Sequence, residues 1–280
     1  MKVAPLWLAV AAVLASPPAP AADLRATGRA TAEQVRQAVV TIRIVLKLKV
    51  AFGGQSQDQE QKVEVAGVVI DPSGLTLASA ASIDPSGALR RMAGGQASRM
   101  KVEAEVKETT LLLEDGTEVE ADVVLKDTDL DLAFLKPREA GRRFSALRLR
   151  PRTGTVPLLT PIFVVARLGK LTSRALAVAT GEIRSWVRGP APYYVTDGET
   201  ASFTGAVAYT ADGVPLGVFV NRFSATPDAR SGGMFDGAFG RSGSEVVLTV
   251  LRPVDKVLEL AAQARDMHPE AKPDEGGEKP

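Results

Sequence analysis

From residue 40 to residue 50 the chain alternates in polarity with a period of two. Val40, Ile42, Ile44, Leu46, Leu48 and Val50 fall on one side, and Thr41, Arg43, Lys47 and Lys49 on the other, with Val45 the exception. Only an extended strand sends successive side chains to opposite faces, so this segment reads as a half-buried strand in an antiparallel sheet. Such a strand cannot bury its apolar face alone. The rest of the chain must supply the sheet.

It does so in short pieces. The polar run 53–59 reads as a turn, and 63–70 as a second strand closed by Asp71-Pro72-Ser73-Gly74, residues that favour turns. Residues 75–80 form a third strand. Residues 101–113 and 119–125 flank a hairpin at Glu114-Asp115-Gly116, and 131–135 form a further strand. After a basic stretch the pattern resumes at 162–166, 175–179, 181–187, 193–196, 206–209, 215–219 and 245–251. Residues 84–100 and 224–244 read as loops. Thr31 and Gln34 suggest a capping box for a short helix to about residue 38. Pro253 suits a first helical position, followed by Val254, Val257, Leu258 and Ala261 on one helical face.

Short strands separated by turn residues specify an all-β barrel or sandwich. The basic stretch near 137–155 divides them into two sets, a layout that fits two packed antiparallel barrels closed by a C-terminal helix. Periodicity alone leaves a sandwich open. The expected organisation is a leader over 1–22, a linker over 23–34, one domain over 35–265 (first barrel about 39–136, second about 155–251) and a disordered tail over 266–280. The leader call rests on Lys2, the apolar run 6–14 and the small residues Ala19 and Ala21 before a cleavage site, the layout of a secretory signal peptide. An exported protein, periplasmic or secreted, is therefore expected. No stretch is long and apolar enough to predict a transmembrane segment after cleavage.

Composition narrows the chemistry. There is no cysteine, which excludes disulfides and thiolate catalysis. A net charge of +1 and 5% aromatic residues argue against nucleic acid as a partner. No His, Asp or Glu spacing suggests a metal, and the glycines at 232–233 and 237–243 lack the Lys-Ser/Thr ending of a phosphate loop, so no cofactor is expected. The arginines at 142, 143, 148, 150 and 152, with Arg90, Arg91, Arg99 and Lys101, read first as solvated linker and loop.

Three ordered segments carry a family resemblance. They are Gly67-Val68-Val69-Ile70-Asp71-Pro72-Ser73-Gly74-Leu75-Thr76-Leu77; the Leu113-Glu114-Asp115-Gly116 hairpin followed by Asp127-Thr128-Asp129-Leu130-Asp131-Leu132-Ala133-Phe134-Leu135-Lys136; and Val195-Thr196-Asp197, then Thr204-Gly205-Ala206-Val207-Ala208, then Asp212-Gly213-Val214-Pro215-Leu216-Gly217-Val218. Together they resemble the trypsin-like serine proteases of the bacterial Deg/HtrA type, over about residues 35–262. The resemblance implies two antiparallel barrels of double Greek-key type. It places the family's general-base histidine at Ala81, its orienting aspartate at Asp131, its nucleophilic serine at Thr204 and an oxyanion-hole glycine at Ser202.

That assignment predicts a degenerate site. A hydroxyl is a weak nucleophile at neutral pH and needs a base within reach, whereas Ala81 can accept no proton. The single histidine, His268, lies in the expected tail. No catalytic residue is therefore expected to function, and Asp131 is expected to cap backbone N–H groups instead. The expected role is that of a pseudoprotease, binding an extended peptide or protein partner by strand addition along Val218, Phe219, Val220, Asn221 and Arg222. The alternatives are a serine-type peptidase with a Thr204 nucleophile and a lysine base, and a purely structural β protein. The sequence sets no oligomeric state.

Overall fold

A computed structural model describes residues 23–52, 55–87, 100–152, 154–223 and 247–267, with the side chains of 50–52, 55–57 and 100–102 left aside. The leader, His268 and the tail, the glycine-rich segment 224–244 and Arg90, Arg91 and Arg99 lie outside the described residues.

Twelve strands form two closed barrels. The first contains β1 (Val39–Phe52), β2 (Gln55–Val69), β3 (Thr76–Ser79), β4 (Met100–Leu112), β5 (Glu118–Asp127) and β6 (Leu132–Pro137), in the order β1-β2-β3-β6-β5-β4. The second contains β7 (Pro161–Arg167), β8 (Leu176–Val187), β9 (Tyr193–Thr196), β10 (Val207–Thr210), β11 (Pro215–Phe223) and β12 (Val247–Pro253). Its order, β7-β8-β9-β12-β11-β10, repeats that of the first. Closure removes the sheet edges that a sandwich would leave, and it settles the choice that periodicity left open. The helices are α1 (Leu24–Val35), the single turn α2 (Ala80–Ile83) and α3 (Val254–Asp266).

The alternation of β1 is used as the sequence requires. Ile42, Ile44 and Leu46 point into the first barrel with Leu111, Val119, Ala133 and Leu135. Ile162, Val164, Phe219 and Leu251 fill the second barrel. A third cluster joins the barrels, with Val68, Leu77 and Phe134 on one side and Phe163, Val207, Val218 and Val250 on the other. The C-terminal helix buries Val257, Ala261 and Ala264 against this cluster.

Three local expectations are corrected. The residues assigned to a linker and to a helix starting at Thr31 form α1, which begins at Leu24, with Asp23 Oδ1 accepting from the N–H groups of Arg25 (3.0 Å) and Ala26 (3.3 Å). The polar run at 55–62 is strand, because β2 pairs with β1 from Gln55↔Phe52 onward and the backbone ladder is indifferent to side-chain polarity. The two strands expected at 175–187 are one, β8, in which Gly181 leaves room for Asp197 to approach.

The connection between barrels is pinned rather than loose. Phe144 N–H donates to Pro72 O (3.1 Å), Leu147 N–H to Val69 O (2.9 Å), and Arg152 N–H to Asp255 Oδ1 (3.0 Å). Arg167 adds a clasp from β7, its Nε donating to Val39 O and its Nη2 to Arg36 O, both at 2.7 Å. Among the described residues, no helix is long and apolar enough to cross a membrane.

Candidate functional site

The seam between the barrels gathers the sequence-predicted positions Ala81, Asp131 and Thr204. Asp131 ends the turn before β6 and is 2% exposed. Its backbone is left-handed, with φ 56°, a conformation that aspartate and asparagine tolerate better than other side chains with a Cβ. Three donors meet its carboxylate. Asp131 Oδ1 accepts from Ala81 N–H (2.6 Å), and Oδ2 accepts from Ser79 Oγ–H (2.8 Å) and from Asn221 N–H (2.5 Å). Ser79 in turn accepts from Ser82 N–H (3.2 Å) and caps the short helix α2. The carboxylate therefore ties β3 and α2 of the first barrel to β11 of the second. Burial pushes its pKa above the ordinary carboxylate value, against the pull of these three donors and of the Arg252 charge.

Thr204 sits on the turn before β10 and is half-buried. Its hydroxyl faces Asn221 Oδ1 at 3.5 Å, and the same oxygen accepts from Thr249 Oγ1–H at 3.2 Å. Among the described residues, no lysine amine or carboxylate lies within hydrogen-bond distance of Thr204 Oγ1. The next residue, Gly205, has φ +88°, and a Cβ there would lie 2.6 Å from the backbone oxygen of Ala66 in β2. Only glycine allows this approach of the two barrels.

Ser202, the oxyanion position by resemblance, is exposed and closes a 3-10 turn over Thr200–Ser202. Its N–H donates back to Glu199 O (3.3 Å), and its Oγ–H donates to the same oxygen (2.8 Å). Asp197 holds this turn in place. Its Oδ1 accepts from Thr200 N–H (3.3 Å) and Thr200 Oγ1–H (2.9 Å), and its Oδ2 from Glu182 N–H (2.7 Å). An oxyanion hole needs a backbone N–H aimed at the developing charge. The Ser202 N–H is instead spent inside its own turn.

The expected peptide edge is only partly at the surface. Val218, Phe219 and Val220 are fully buried. Val218 pairs with Val207 on one side and Arg252 on the other. Phe219 exchanges bonds with Gly205 and Ala206 across from Leu251. Val218 and Phe219 thus have backbone partners on both sides, which leaves no room for an added strand at these two residues, while Val220 pairs with Val250 of β12. Asn221 and Arg222 lie beyond the end of β10, where Asn221 N–H meets Asp131 and Arg222 lies over the Tyr193 ring at 5.0 Å.

Two residues take roles in the site that the sequence did not assign. Asn221, expected on the binding edge, also bridges Thr204 and Asp131. Asp197, three residues before Thr200, has the spacing of a side-chain cap, which could have marked the turn. Among the described residues, no group of His, Cys, Asp and Glu is arranged to hold a metal ion.

No curated protein matches this chain. The family model of the trypsin-like peptidase domain matches residues 65–218, from β2 through β11, and so takes in Ala81, Asp131, Ser202 and Thr204. With the match over more than half of its length and the double six-stranded barrel behind it, the chain belongs to the trypsin-like peptidase domain family.

Proposed function

We propose that this protein is a non-catalytic trypsin-like domain of the Deg/HtrA type, exported from the cell, whose inter-barrel seam binds an extended peptide or protein segment. The observation that carries this reading is the chain of contacts from Thr204 through Asn221 to Asp131. Where the family places an imidazole between hydroxyl and carboxylate, an asparagine side-chain oxygen accepts from the hydroxyl and the N–H groups of Ala81 and Asn221 donate to the carboxylate. An amide oxygen takes no proton at neutral pH, so the hydroxyl has no base. In a subtilisin-type enzyme, loss of the histidine alone costs on the order of a million-fold in turnover. The inward-turned Ser202 N–H supports the same conclusion. A Thr204 nucleophile with a lysine base finds no support in these contacts.

What survives is a preorganised seam. The strand running out from Asn221 through Arg222 is the segment on which an extended peptide would lie. The basis for export is the leader-like segment before α1.

The test is direct. Purified protein incubated with casein, and separately with a fluorophosphonate probe, is expected to give neither fragments nor label. Cleavage that disappears in Thr204→Ala would overturn the proposal. Binding is tested with an immobilised library of unstructured peptides, where Asn221→Pro is expected to lower capture by releasing Asp131 from the strand and altering the strand at the edge.

A further inference from the structure

On the side of the molecule formed by the linker and α3, a recess of about 250 Å³ lies between the linker, the turn after β2 and the C-terminal helix. Arg148, Arg150 and Arg265 line it, with Leu149 and Leu258 between them and Asp71 at the turn. Arg265 Nε donates to Asp71 Oδ2 at 3.1 Å, which accounts for the one carboxylate present. Arg148 and Arg150 have no hydrogen bond or ion pair among the described residues. A recess with three guanidinium groups and one carboxylate carries an excess of two positive charges, in a protein whose formal net charge is +1.

The two unpaired arginines are set in a fixed register. Along residues 141–150 exposure alternates, with Leu147 buried and Leu149 half-buried while Arg148 and Arg150 are exposed. That alternation belongs to an extended chain, and the bonds of Phe144, Leu147 and Arg152 hold it against the first barrel and α3. Residues two apart on such a chain share a side and stand roughly 6.5 Å apart. Two carboxylates at i and i+2 of an extended peptide have the same spacing. The planar guanidinium fork matches a carboxylate oxygen pair, and the leucines suit the methylene stems and the apolar residue between two acidic ones.

We infer that this recess is a binding site for an extended acidic peptide segment of the form acidic–apolar–acidic, with Arg148 and Arg150 as its two anchors. A membrane surface or nucleic acid is the lesser fit, since neither calls for two anchors at a fixed i, i+2 spacing with Leu149 and Leu258 between the arginines. The site is separate from the Thr204 seam and does not depend on that assignment.

The test is fluorescence anisotropy of a fluorescein-labelled Glu-Leu-Glu-Leu-Glu peptide titrated with the full chain at low salt. Saturable binding is expected, lost at high salt and absent for the Gln-Leu-Gln-Leu-Gln peptide. Each exposed charge pair contributes a few-fold in affinity, so R148Q/R150Q together is expected to weaken binding about ten-fold. The thermal midpoint should stay unchanged, since both side chains are exposed and unpaired. Asn221→Pro, which disturbs the seam, should leave this binding intact. Equal affinity for the double variant, or equal binding of the glutamine peptide, would overturn the inference. So would full displacement of the peptide by millimolar inorganic phosphate, which would mark a site for simple oxyanions. Neutralising the four acidic residues of the chain's own terminus (E270Q/D274N/E275Q/E278Q) separates the remaining source. A gain in peptide affinity supports the site with the terminus as its competitor, and binding that vanishes in this variant would place the interaction elsewhere.

Discussion

Replacing Asp131 separates a structural carboxylate from a catalytic remnant. In Asp131→Ala, the Ala81 N–H, the Asn221 N–H and the Ser79 O–H all lose their acceptor. Each buried donor left unpaired costs about 1–3 kcal/mol. The lower end applies to the two backbone groups, which are only part-buried. Alanine at φ 56° adds roughly 1 kcal/mol of backbone strain. Removing a carboxylate whose ionised form is disfavoured by burial offsets part of this. The expected net loss is about 2–4 kcal/mol, set by the three donors. Asp131→Asn keeps the left-handed backbone and one acceptor oxygen, and is expected to lose only about 1–2 kcal/mol. Urea titration followed by Trp186 fluorescence gives both numbers. Removal of a residue kept for chemistry commonly leaves stability unchanged or raises it. An Asp131→Ala midpoint at or above that of the parent would therefore refute the clamp, and equal losses for Ala and Asn would show that the hydrogen bonds do not set the stability.

Other expectations follow from the same contacts. Because burial raises the Asp131 pKa above its unfolded value, the folded state takes up that proton first. The parent should therefore gain stability relative to Asp131→Asn as pH falls from 7 toward the unfolded carboxylate range, and lose that advantage as pH rises back through the folded pKa; paired urea midpoints across pH check the sign. The double variant A81H/T204S is expected to remain unlabelled by fluorophosphonate, since the Ser202 N–H still donates to Glu199 and Asn221 still occupies the seam; stoichiometric labelling would show that the oxyanion turn reopens unaided. Gly205→Ala should lower stability by about 2 kcal/mol or more, because the added Cβ meets the backbone oxygen of Ala66 and the φ is left-handed; an unchanged thermal midpoint would contradict this. Tyr209 is buried and stacked on Phe163, with its hydroxyl unpaired among the described residues, so Tyr209→Phe is expected to hold or raise the midpoint, by up to about 1–2 kcal/mol.

The strands were legible wherever one face is apolar and the other polar, as in β1, because burial and period coincide there. Pairing was not. The polar start of β2 is held by the β1 ladder, and backbone hydrogen bonds leave no trace in side-chain chemistry. Helix α1 was hidden by Thr27, Gly28 and Thr31, which are poor helix formers. Its Gly28 faces Phe163 and Val178 of the second barrel, tertiary contacts that no local pattern reports. At the seam, counting along the motifs supplied Ala81, Asp131 and Thr204, and the contacts join Asp131 to Ala81 directly and to Thr204 through Asn221. What fills the space between them was not legible. Asn221 is distant in sequence from Asp131 and Thr204, and only barrel closure brings the three together. The binding edge poses the same difficulty: which side of β11 is open at Val218 and Phe219 depends on how β10 and the 205–206 turn pack against it.

The carboxylate that joins the barrels also couples two clocks. The amide protons of Ala81 and Asn221, 140 positions apart in the chain, are both held by Asp131. The Asn221 bond crosses from one barrel to the other, whereas the Ala81 bond lies within the first. Deuterium exchange at Asn221 should therefore report parting of the barrels at this point, and exchange at Ala81 should keep pace with it only where the Asp131 turn opens as a unit.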